Sequence, residues 1–340
     1  MKKLRLWCQF LRIDNAPLSI GAPVIGALAQ NAVLPFWQIL VLGVIGFCAH
    51  VYGFVLNDVA DMELDSKNPV HQGKPLLNGF MTRRSALLVA CGQVPLSLVL
   101  GTALPHSSFL SAALLLGSVG LAGLYNLYGK KFRTWTIAAD AALGASVGLM
   151  VVWGALVTGG TASSLPISLG VYLCLQVALV NMLMSLKDLQ YDLMFGAHTS
   201  AIWLRVRLDA QGRPVMSKAM RCYSLILEIA STLLLGGTFL SRLWGYSDEV
   251  ISALEFVWLL MGGFALLALV RFLWVASSQR YAQVNFDLGC AILLVALGAR
   301  VGAQSMFYLL GLMVVPLLIA YPVNIWARHG ARRSTPRQDV

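Results

Sequence analysis

Carboxylate and amide side chains are concentrated in one short stretch of this sequence, residues 57–65. If the helix that is predicted to begin near residue 36 continues through this stretch, successive residues turn by about 100° around its axis. One arc of that helix then carries Asn57, Asp58, Asp61 and Asp65. Carboxylates on one face repel one another unless a cation lies among them, and hard oxygen ligands in this number suit Mg²⁺. The spacing therefore predicts a magnesium site at the polar end of a long apolar segment.

A second acidic cluster closes another apolar run much further along the chain. Asp188 and Asp192 are one helical turn apart and would share a helix face with Asn181 and Ser185. The chain has only 15 acidic residues, and the two clusters contain Asp58, Asp61, Glu63, Asp65, Asp188 and Asp192. This concentration is not typical of a solvated surface, and the spacing of the second cluster again favours a metal.

The composition is that of an integral membrane protein. Hydrophobic residues make up 58% of the 340 residues and charged residues 12%, and the mean hydropathy is +0.73, whereas soluble domains are roughly 45–50% apolar and 25% charged. With spans of about 20 residues and short loops, we predict an all-α integral membrane protein, a bundle of nine to ten transmembrane helices. Residues 1–340 are predicted to form one transmembrane domain, with a cytoplasmic N-terminal segment at 1–15 and a basic C-terminal tail at 325–340.

Ten apolar runs are candidate spans. They cover residues 16–34, 36–57, 84–104, 108–128, 136–158, 165–187, 221–241, 252–275, 284–300 and 304–324. With a cytoplasmic N-terminus, ten spans place every basic loop on the inner side, whereas nine would leave the arginines of the C-terminal tail outside. Both acidic clusters then lie at cytoplasmic ends, those of the second and sixth spans. The predicted location is a bacterial inner membrane, with the site facing the cytoplasm.

The net charge of +10 does not indicate a nucleic-acid partner, because the basic residues are spread over short loops rather than gathered in one patch. The six cysteines are isolated and lack Cys-x-x-Cys spacing, so we predict neither a disulfide nor a cysteine metal site. The predicted partners are the lipid bilayer and small molecules, and no pattern predicts an oligomeric state.

Two carboxylate clusters at a membrane surface, with basic residues nearby, are the groups needed to hold a diphosphate through Mg²⁺. The metal bridges phosphate oxygens and takes up the charge that develops as the diphosphate leaves. The substrate that suits a lipid-embedded protein is an isoprenyl diphosphate, because its apolar tail can lie between helices while its head reaches the polar rim. The carbocation that is left needs aromatic or apolar walls and no water.

At these residues the sequence resembles the UbiA superfamily of intramembrane prenyltransferases, over roughly its first 300 residues. The family's Asn-Asp-x-x-Asp-x-x-x-Asp signature is present as Asn57, Asp58, Asp61 and Asp65, and its Asp-x-x-x-Asp signature as Asp188 and Asp192. The stretch Lys74-Pro75-Leu76-Leu77-Asn78-Gly79 looks like the family's Arg-Pro-Leu-Pro-Ser-Gly. The stretch Tyr125-Asn126-Leu127-Tyr128-Gly129-Lys130-Lys131 looks like its Tyr-x-x-x-Lys-Arg. Each aspartate motif alone is a weak signal, but the two together at helix ends are a strong one.

The resemblance implies an enzyme similar to 4-hydroxybenzoate polyprenyltransferases, which transfers an isoprenyl group from isoprenyl diphosphate to an aromatic acceptor, a phenol or a quinone precursor. It implies Mg²⁺ as the cofactor, bound by Asn57, Asp58, Asp61, Asp65, Asp188 and Asp192. It implies diphosphate contacts from Lys74 and from Lys130 or Lys131, with Tyr125 as a further substrate-binding residue. The expected catalytic group comprises Asp58, Asp61, Asp188, Asp192 and Lys74.

Three departures from the family pattern indicate a divergent member. Lys74 replaces an arginine, which exchanges a bidentate fork for a point charge. Leu77 and Asn78 replace Pro-Ser, and a tenth span exceeds the usual nine. The acceptor and the prenyl chain length are therefore not transferred from the family.

Two other functions stay open on the sequence alone. A cyclase of the same fold would ionise a prenyl diphosphate without an acceptor. A transporter would coordinate a permeating cation with the aspartates, but discontinuous helices at mid-membrane would then be expected, and these clusters lie at the rim. His71 and His198 are interpreted as solvated loop histidines, and Asp140 as an ionisable residue about one turn inside a span.

Overall fold

The computed structural model describes residues 2–31, 33–240, 248–274, 279–298, 301 and 303–334, and these residues are mostly helical. The α-helices are α1 Lys2–Phe10, α2 Ala16–Gln30, α3 Phe36–Ala60, α4 Met62–Ser66, α5 Arg83–Gly101, α6 Phe109–Tyr128, α7 Thr136–Gly159, α8 Ser164–Met184, α9 Leu189–Phe195, α10 Ser200–Trp203, α11 Lys218–Leu240, α12 Asp248–Trp274, α13 Gln279–Gly298 and α14 Ala303–Ser334. A short antiparallel pair, β1 Arg207–Leu208 and β2 Pro214–Val215, lies between α10 and α11.

Five helical segments among the described residues are long and apolar enough to cross a membrane. They are α3, α5, α6, Arg133–Gly159 and Ser164–Lys187, which correspond to the predicted spans at 36–57, 84–104, 108–128, 136–158 and 165–187. The remaining candidate spans coincide with α2 and with α11 to α14. The total of nine or ten spans stays a prediction.

Several predicted boundaries lie outside the described residues, namely residue 241, residue 275 and residues 299–300. The predicted C-terminal tail is partly covered by structure, because α14 continues to Ser334. Residues 335–340 lie outside the described part of the chain.

Close approach of glycine-bearing helix faces holds the centre of the bundle together. A Cβ atom placed on Gly26 of α2 would lie 1.7 Å from the carbonyl oxygen of Val151 in α7, and one on Gly154 would lie 2.0 Å from that of Pro23. Helices α2 and α7 are therefore closer than any other residue type would allow at these points. The apolar core beside this contact includes Trp153 and Leu28, which are fully buried.

Both aspartate motifs lie at breaks in a helix, where continuous helices were expected. α3 ends at Ala60, Asp61 has φ −86° and ψ −2°, and α4 begins at the next residue. Asp188 has φ −102° and ψ 2° between the 3₁₀ turn after α8 and the start of α9. The prediction of one continuous helical arc is wrong at both places, because a ψ near 0° at Asp61 and at Asp188 bends the backbone away from the regular helix.

Candidate active site

The aspartates of the first motif are buried, and Lys74 and Lys130 reach into them. Asp58, Asp61 and Asp65 are 6%, 9% and 5% exposed. Lys74 Nζ lies 2.5 Å from Asp65 Oδ2 and 3.4 Å from Asp58 Oδ1. Lys130 Nζ lies 2.5 Å from Asp61 Oδ2. A buried carboxylate without a partner would cost several kcal/mol, so these ion pairs allow the motif to be buried.

The loop that carries Lys74 is fixed by its own backbone. The Lys74 N–H donates to the carbonyl oxygen of His71 at 2.9 Å, and the Asn78 N–H donates to that of Lys74 at 3.0 Å. Pro75 restricts the turn further, and Gly79 closes it with φ +78°, a region that favours glycine. The Lys74-to-Gly79 stretch is therefore a shaped turn that presents the lysine to the aspartates.

Lys130 follows the last turn of α6 and is the lysine of the predicted pair that joins the cluster. Burial opposes its charged form, but the adjacent Asp61 carboxylate outweighs burial and raises the pKa of Lys130 above its usual value. Lys131 is exposed and makes no ion pair within the described residues. The Asn57 amide also contacts the cluster, through a 3.4 Å hydrogen bond from Nδ2 to Asp61 Oδ2.

Arg12 is a member of the cluster that the sequence analysis missed. Its guanidinium pairs with Asp58 and lies over the Phe54 ring, 5.4 Å from the ring centre. His50 holds the segment in place, because its Nε2 lies 3.0 Å from the carbonyl oxygens of both Leu11 and Arg12. Two acceptors at one nitrogen require that Nε2 carries the hydrogen. The sequence signal was an arginine directly before the first span and a histidine inside the second.

His71 links the two motifs. Its Nδ1 lies 2.6 Å from Asp65 Oδ1, and its Nε2 lies 3.7 Å from Asp188 Oδ1. The interpretation of His71 as a solvated loop histidine is therefore wrong. The motifs are 123 positions apart in sequence, counted from Asp65 to Asp188, and this side chain shows that they lie at the same end of the bundle.

The second motif lacks the strong ion pairs of the first. Asp192 is 4% exposed and makes no ion pair within the described parts of the chain, whereas Asp188 is partly exposed. Burial, with the nearby carboxylates of Asp188, Asp61 and Asp65, raises the pKa of Asp192 to about 7, against the opposing effect of Lys130. Burial is therefore the main reason that the charged form of Asp192 is disfavoured.

Tyr125, a predicted substrate-binding residue, lies in a chain of hydrogen bonds. Its hydroxyl donates to Asn181 Oδ1 at 2.9 Å, and Asn181 Nδ2 donates to Asp140 Oδ1 at 2.7 Å. The Ser200 hydroxyl donates to the other oxygen of Asp140. Asp140 is thus buried and fully partnered rather than extended towards the surface, and it connects α6, α7, α8 and α10.

The donor set of the cluster suits a hard divalent cation, although the side chains are not arranged as a closed metal site. Within the described residues, no three His, Cys, Asp or Glu side chains form a ready metal-binding group. The carboxylates of the first motif face Arg12, Lys74 and Lys130 instead. The oxygen ligands and the crowding of carboxylates around Asp192 nevertheless fit Mg²⁺, which prefers carboxylates and substrate phosphates together.

Comparisons with solved structures identify the fold. A UbiA homologue from Archaeoglobus fulgidus bound to GPP and Mg²⁺ superposes with a TM-score of 0.62 at 14% identity, covering 86% of this chain and 98% of that one. A UbiA homologue from Aeropyrum pernix K1 gives 0.60 at 20% identity, covering 84% and 96%. A digeranylgeranylglyceryl phosphate synthase gives 0.58 at 17% identity, covering 92% and 99%. Such identities show a shared fold.

A search of the curated proteins gives no significant match. The profile of the UbiA prenyltransferase family, however, matches residues 18–285. That range contains both aspartate motifs, Lys74 and Lys130, and it covers most of the chain. This chain is therefore an integral membrane protein that belongs to the UbiA prenyltransferase family.

Proposed function

We propose that this protein is a Mg²⁺-dependent membrane prenyltransferase that joins an isoprenyl group from an isoprenyl diphosphate to an aromatic acceptor. One observation carries the proposal. Arg12, Lys74 and Lys130 come from three separate segments and meet buried aspartates at the same end of the helical bundle. Such an assembly of cations and carboxylates supports the binding of a substrate that carries charge together with a metal.

The charge balance explains how a diphosphate would be accepted. In the absence of substrate, the lysines neutralise the aspartates of the first motif. A diphosphate with its metal brings both signs of charge, so the lysines can turn to phosphate oxygens while Asn57, Asp58, Asp61, Asp65, Asp188 and Asp192 hold the metal. When bound, Mg²⁺ supplies Lewis-acid assistance to the departing diphosphate.

The chain's own residues would then separate the charges of the reaction. The bond between C1 of the isoprenyl group and the diphosphate oxygen breaks, and its electron pair leaves with the diphosphate, near Lys74 and Lys130. The acceptor attacks C1 and loses a proton. Arg12 would add a fixed positive charge to the same rim, because His50 holds its backbone.

The acceptor would lie close to the polar chain that begins at Tyr125. This chain provides a phenol, an amide and a buried carboxylate from Tyr125, Asn181 and Asp140, which suit a hydroxylated ring. The aromatic class of the acceptor rests on this polarity and on the family resemblance.

The related structures support an isoprenyl diphosphate as the prenyl donor. Structures of the Archaeoglobus fulgidus homologue are described as bound to GPP and Mg²⁺ and to DMAPP and Mg²⁺, which are short prenyl diphosphates. We further propose one domain over residues 1–340 with ten spans, a bacterial inner-membrane location and a site facing the cytoplasm, on the distribution of the basic loops.

One assay tests the proposal. Purified protein with Mg²⁺ and a panel of prenyl diphosphates is followed for diphosphate release, with and without a mixture of phenolic and quinone-precursor acceptors. We expect release that depends on both Mg²⁺ and an acceptor. Rapid release without acceptor, together with a cyclic hydrocarbon or alcohol, would show a cyclase instead, and no release under any condition would contradict both enzymatic functions.

A matched variant controls for contaminating activity. Glu63 lies inside the first motif, but its side chain is 90% exposed, and among the described residues its one ion pair is with Lys67 at 3.6 Å. The Glu63→Gln variant should behave as wild type, whereas Asp61→Asn prepared in the same way should release no diphosphate.

A further inference from the structure

A cavity separate from the aspartate cluster lies where the loop after α6 meets the segment around α10. Its volume is about 570 Å³, and it is partly open to the outside. Among the residues that line it are Arg133, His198 and Arg205. None of the lining residues belongs to the cluster that holds the aspartate motifs, although His198 donates its backbone N–H to the carbonyl oxygen of Lys130 at 3.0 Å.

Two hydroxyl groups in this cavity are buried without a partner. Thr136 and Thr199 are 3% and 7% exposed, both line the cavity, and the Oγ1 atom of each makes no hydrogen bond within the described residues. Buried hydroxyls are nearly always hydrogen-bonded, and an unsatisfied one costs about 1–3 kcal/mol. Both threonines therefore leave an unsatisfied hydroxyl at the wall of the cavity.

The charge of the residues that line the cavity indicates the sign of the charge on a ligand. Neither Arg133 nor Arg205 makes an ion pair with any other described residue, and no acidic side chain lines the cavity. The 3₁₀ turn Arg133–Trp135 leads directly into α7, and the start of this helical segment, which has no side-chain cap, adds the positive end of its dipole. Guanidinium and hydroxyl donors with a helix N-terminus are the groups that bind phosphate.

We infer that this cavity is a second anion site, which binds a phosphate group carried on an amphiphilic molecule. The cavity is much larger than one phosphate ion, and its remaining lining is apolar, with Ile202, Leu204 and the half-exposed Trp203. Ligand pockets of this size accept a molecule with an organic part. A phospholipid headgroup and a soluble phosphate ester share the required chemistry.

Binding to purified protein in detergent tests the inference and separates these sources. EDTA is present throughout, so that metal-dependent binding at the aspartate cluster does not contribute. The probes are dihexanoyl phosphatidylglycerol below its micellar concentration, dihexanoylglycerol as its phosphate-free counterpart, and inorganic phosphate, each followed by isothermal titration. We expect the phosphatidylglycerol to bind and the dihexanoylglycerol to bind at least about tenfold more weakly.

Two double variants test whether the phosphatidylglycerol binds in this cavity. Arg133→Ala/Arg205→Ala should weaken it at least about tenfold, because two charge-assisted contacts are lost. Thr136→Val/Thr199→Val, which preserves side-chain shape, should weaken it about fivefold. The control Arg83→Ala/Arg84→Ala removes two exposed basic residues at the start of α5, outside the cavity, and should leave the affinity unchanged.

Inorganic phosphate that displaces the phosphatidylglycerol at millimolar concentration would identify a site for soluble phosphate esters as well. Failure of phosphate to compete would identify a lipid site. Absence of phosphatidylglycerol binding, equal binding of dihexanoylglycerol, or wild-type affinity in the arginine variant would overturn the inference. If the arginine variant does not fold, wild-type affinity in the threonine variant overturns it equally.

Discussion

The two aspartate motifs of this protein share a backbone arrangement but differ in how their charge is neutralised. Each lies at a break between a long apolar helix and a short one, at Asp61 and at Asp188. In the first motif every aspartate contacts a basic side chain. In the second motif Asp188 has only the 3.7 Å contact to His71, and the buried Asp192 has no ion pair within the described residues.

We propose that this difference gives the motifs separate tasks. The first motif would supply a diphosphate with the lysines and the arginine that already contact its aspartates. The second motif, which makes no close ion pair with Lys or Arg within the described residues, would offer its carboxylates to a cation that arrives with the diphosphate.

The largest expected effect is on turnover, when a carboxylate of the first motif is neutralised. Asp61→Asn should lower kcat/KM by at least about a thousandfold, since it removes a proposed metal ligand and the ion-pair partner of Lys130. Steady-state assays of diphosphate release measure this loss. Activity of Asp61→Asn within tenfold of the Glu63→Gln control would show that the first motif is not part of the site.

Substitutions of the two lysines after α6 should give the next largest effect on turnover and should distinguish the roles of these two neighbours. Lys130→Ala should reduce kcat/KM about a hundredfold, because a charge-assisted contact in a buried site is lost. Lys131→Ala should stay within about threefold of wild type, because Lys131 is exposed and outside the cluster. Equal losses in the two variants would contradict the distinction that the structure makes.

The stability of the metal-free protein should change in opposite directions in the two motifs. In EDTA at pH 8, Asp58→Asn should lower the free energy of unfolding by about 1–3 kcal/mol, because it leaves Arg12 without its partner. Asp192→Asn should raise it by a similar order, since the carboxylate that burial disfavours is removed.

The pH dependence of the free energy of unfolding provides an internal control for the comparison of Asp58→Asn with Asp192→Asn. The raised pKa of Asp192, about 7, means that the folded protein holds the proton more tightly than the unfolded chain, so the penalty builds up as the pH rises from about 4 to about 7 and is complete above that range. The gain from Asp192→Asn should therefore be smaller at pH 5 than at pH 8. Thermal unfolding at the two pH values measures both effects, and destabilisation by Asp192→Asn at pH 8 would contradict this account.

The smallest expected effect concerns the link between the motifs. His71→Ala should reduce kcat/KM about tenfold, because Asp65 and Asp188 lose the side chain that joins them. His198→Ala, in the segment between α9 and α10, should leave turnover nearly unchanged, since His198 lines the separate cavity. The reverse ranking of the two histidines would show that His71 has no role in joining the motifs.

Much of the site could be predicted from sequence because it depends on residue type and spacing. Local sequence patterns contain the two aspartate motifs, Lys74, and the choice between Lys130 and Lys131. The contact between Lys74 and the buried Asp58 agrees with these patterns. Arg12 and His71 could not be found in this way. Their partners are 46 and 117 positions away, at Asp58 and Asp188, and only the packing of helices brings them together.

Helix geometry was harder to predict for a different reason. The apolar runs gave the positions of α3 and α8, but the breaks at Asp61 and Asp188 depend on single residues at the polar ends. Hydrophobic periodicity ends there, and neither aspartate caps the following helix with its side chain, so no local pattern marks the break.

The most direct test of the central claim is metal binding in the presence of inorganic diphosphate. Mn²⁺ replaces Mg²⁺ so that electron paramagnetic resonance can report bound metal in the wild type and in the variants Glu63→Gln, Asp61→Asn and Asp192→Asn. We predict that wild type and Glu63→Gln bind Mn²⁺ much more tightly with diphosphate than without it, and that both aspartate variants lose this enhancement. Full enhancement in either aspartate variant would contradict the claim that the two motifs hold metal and diphosphate together.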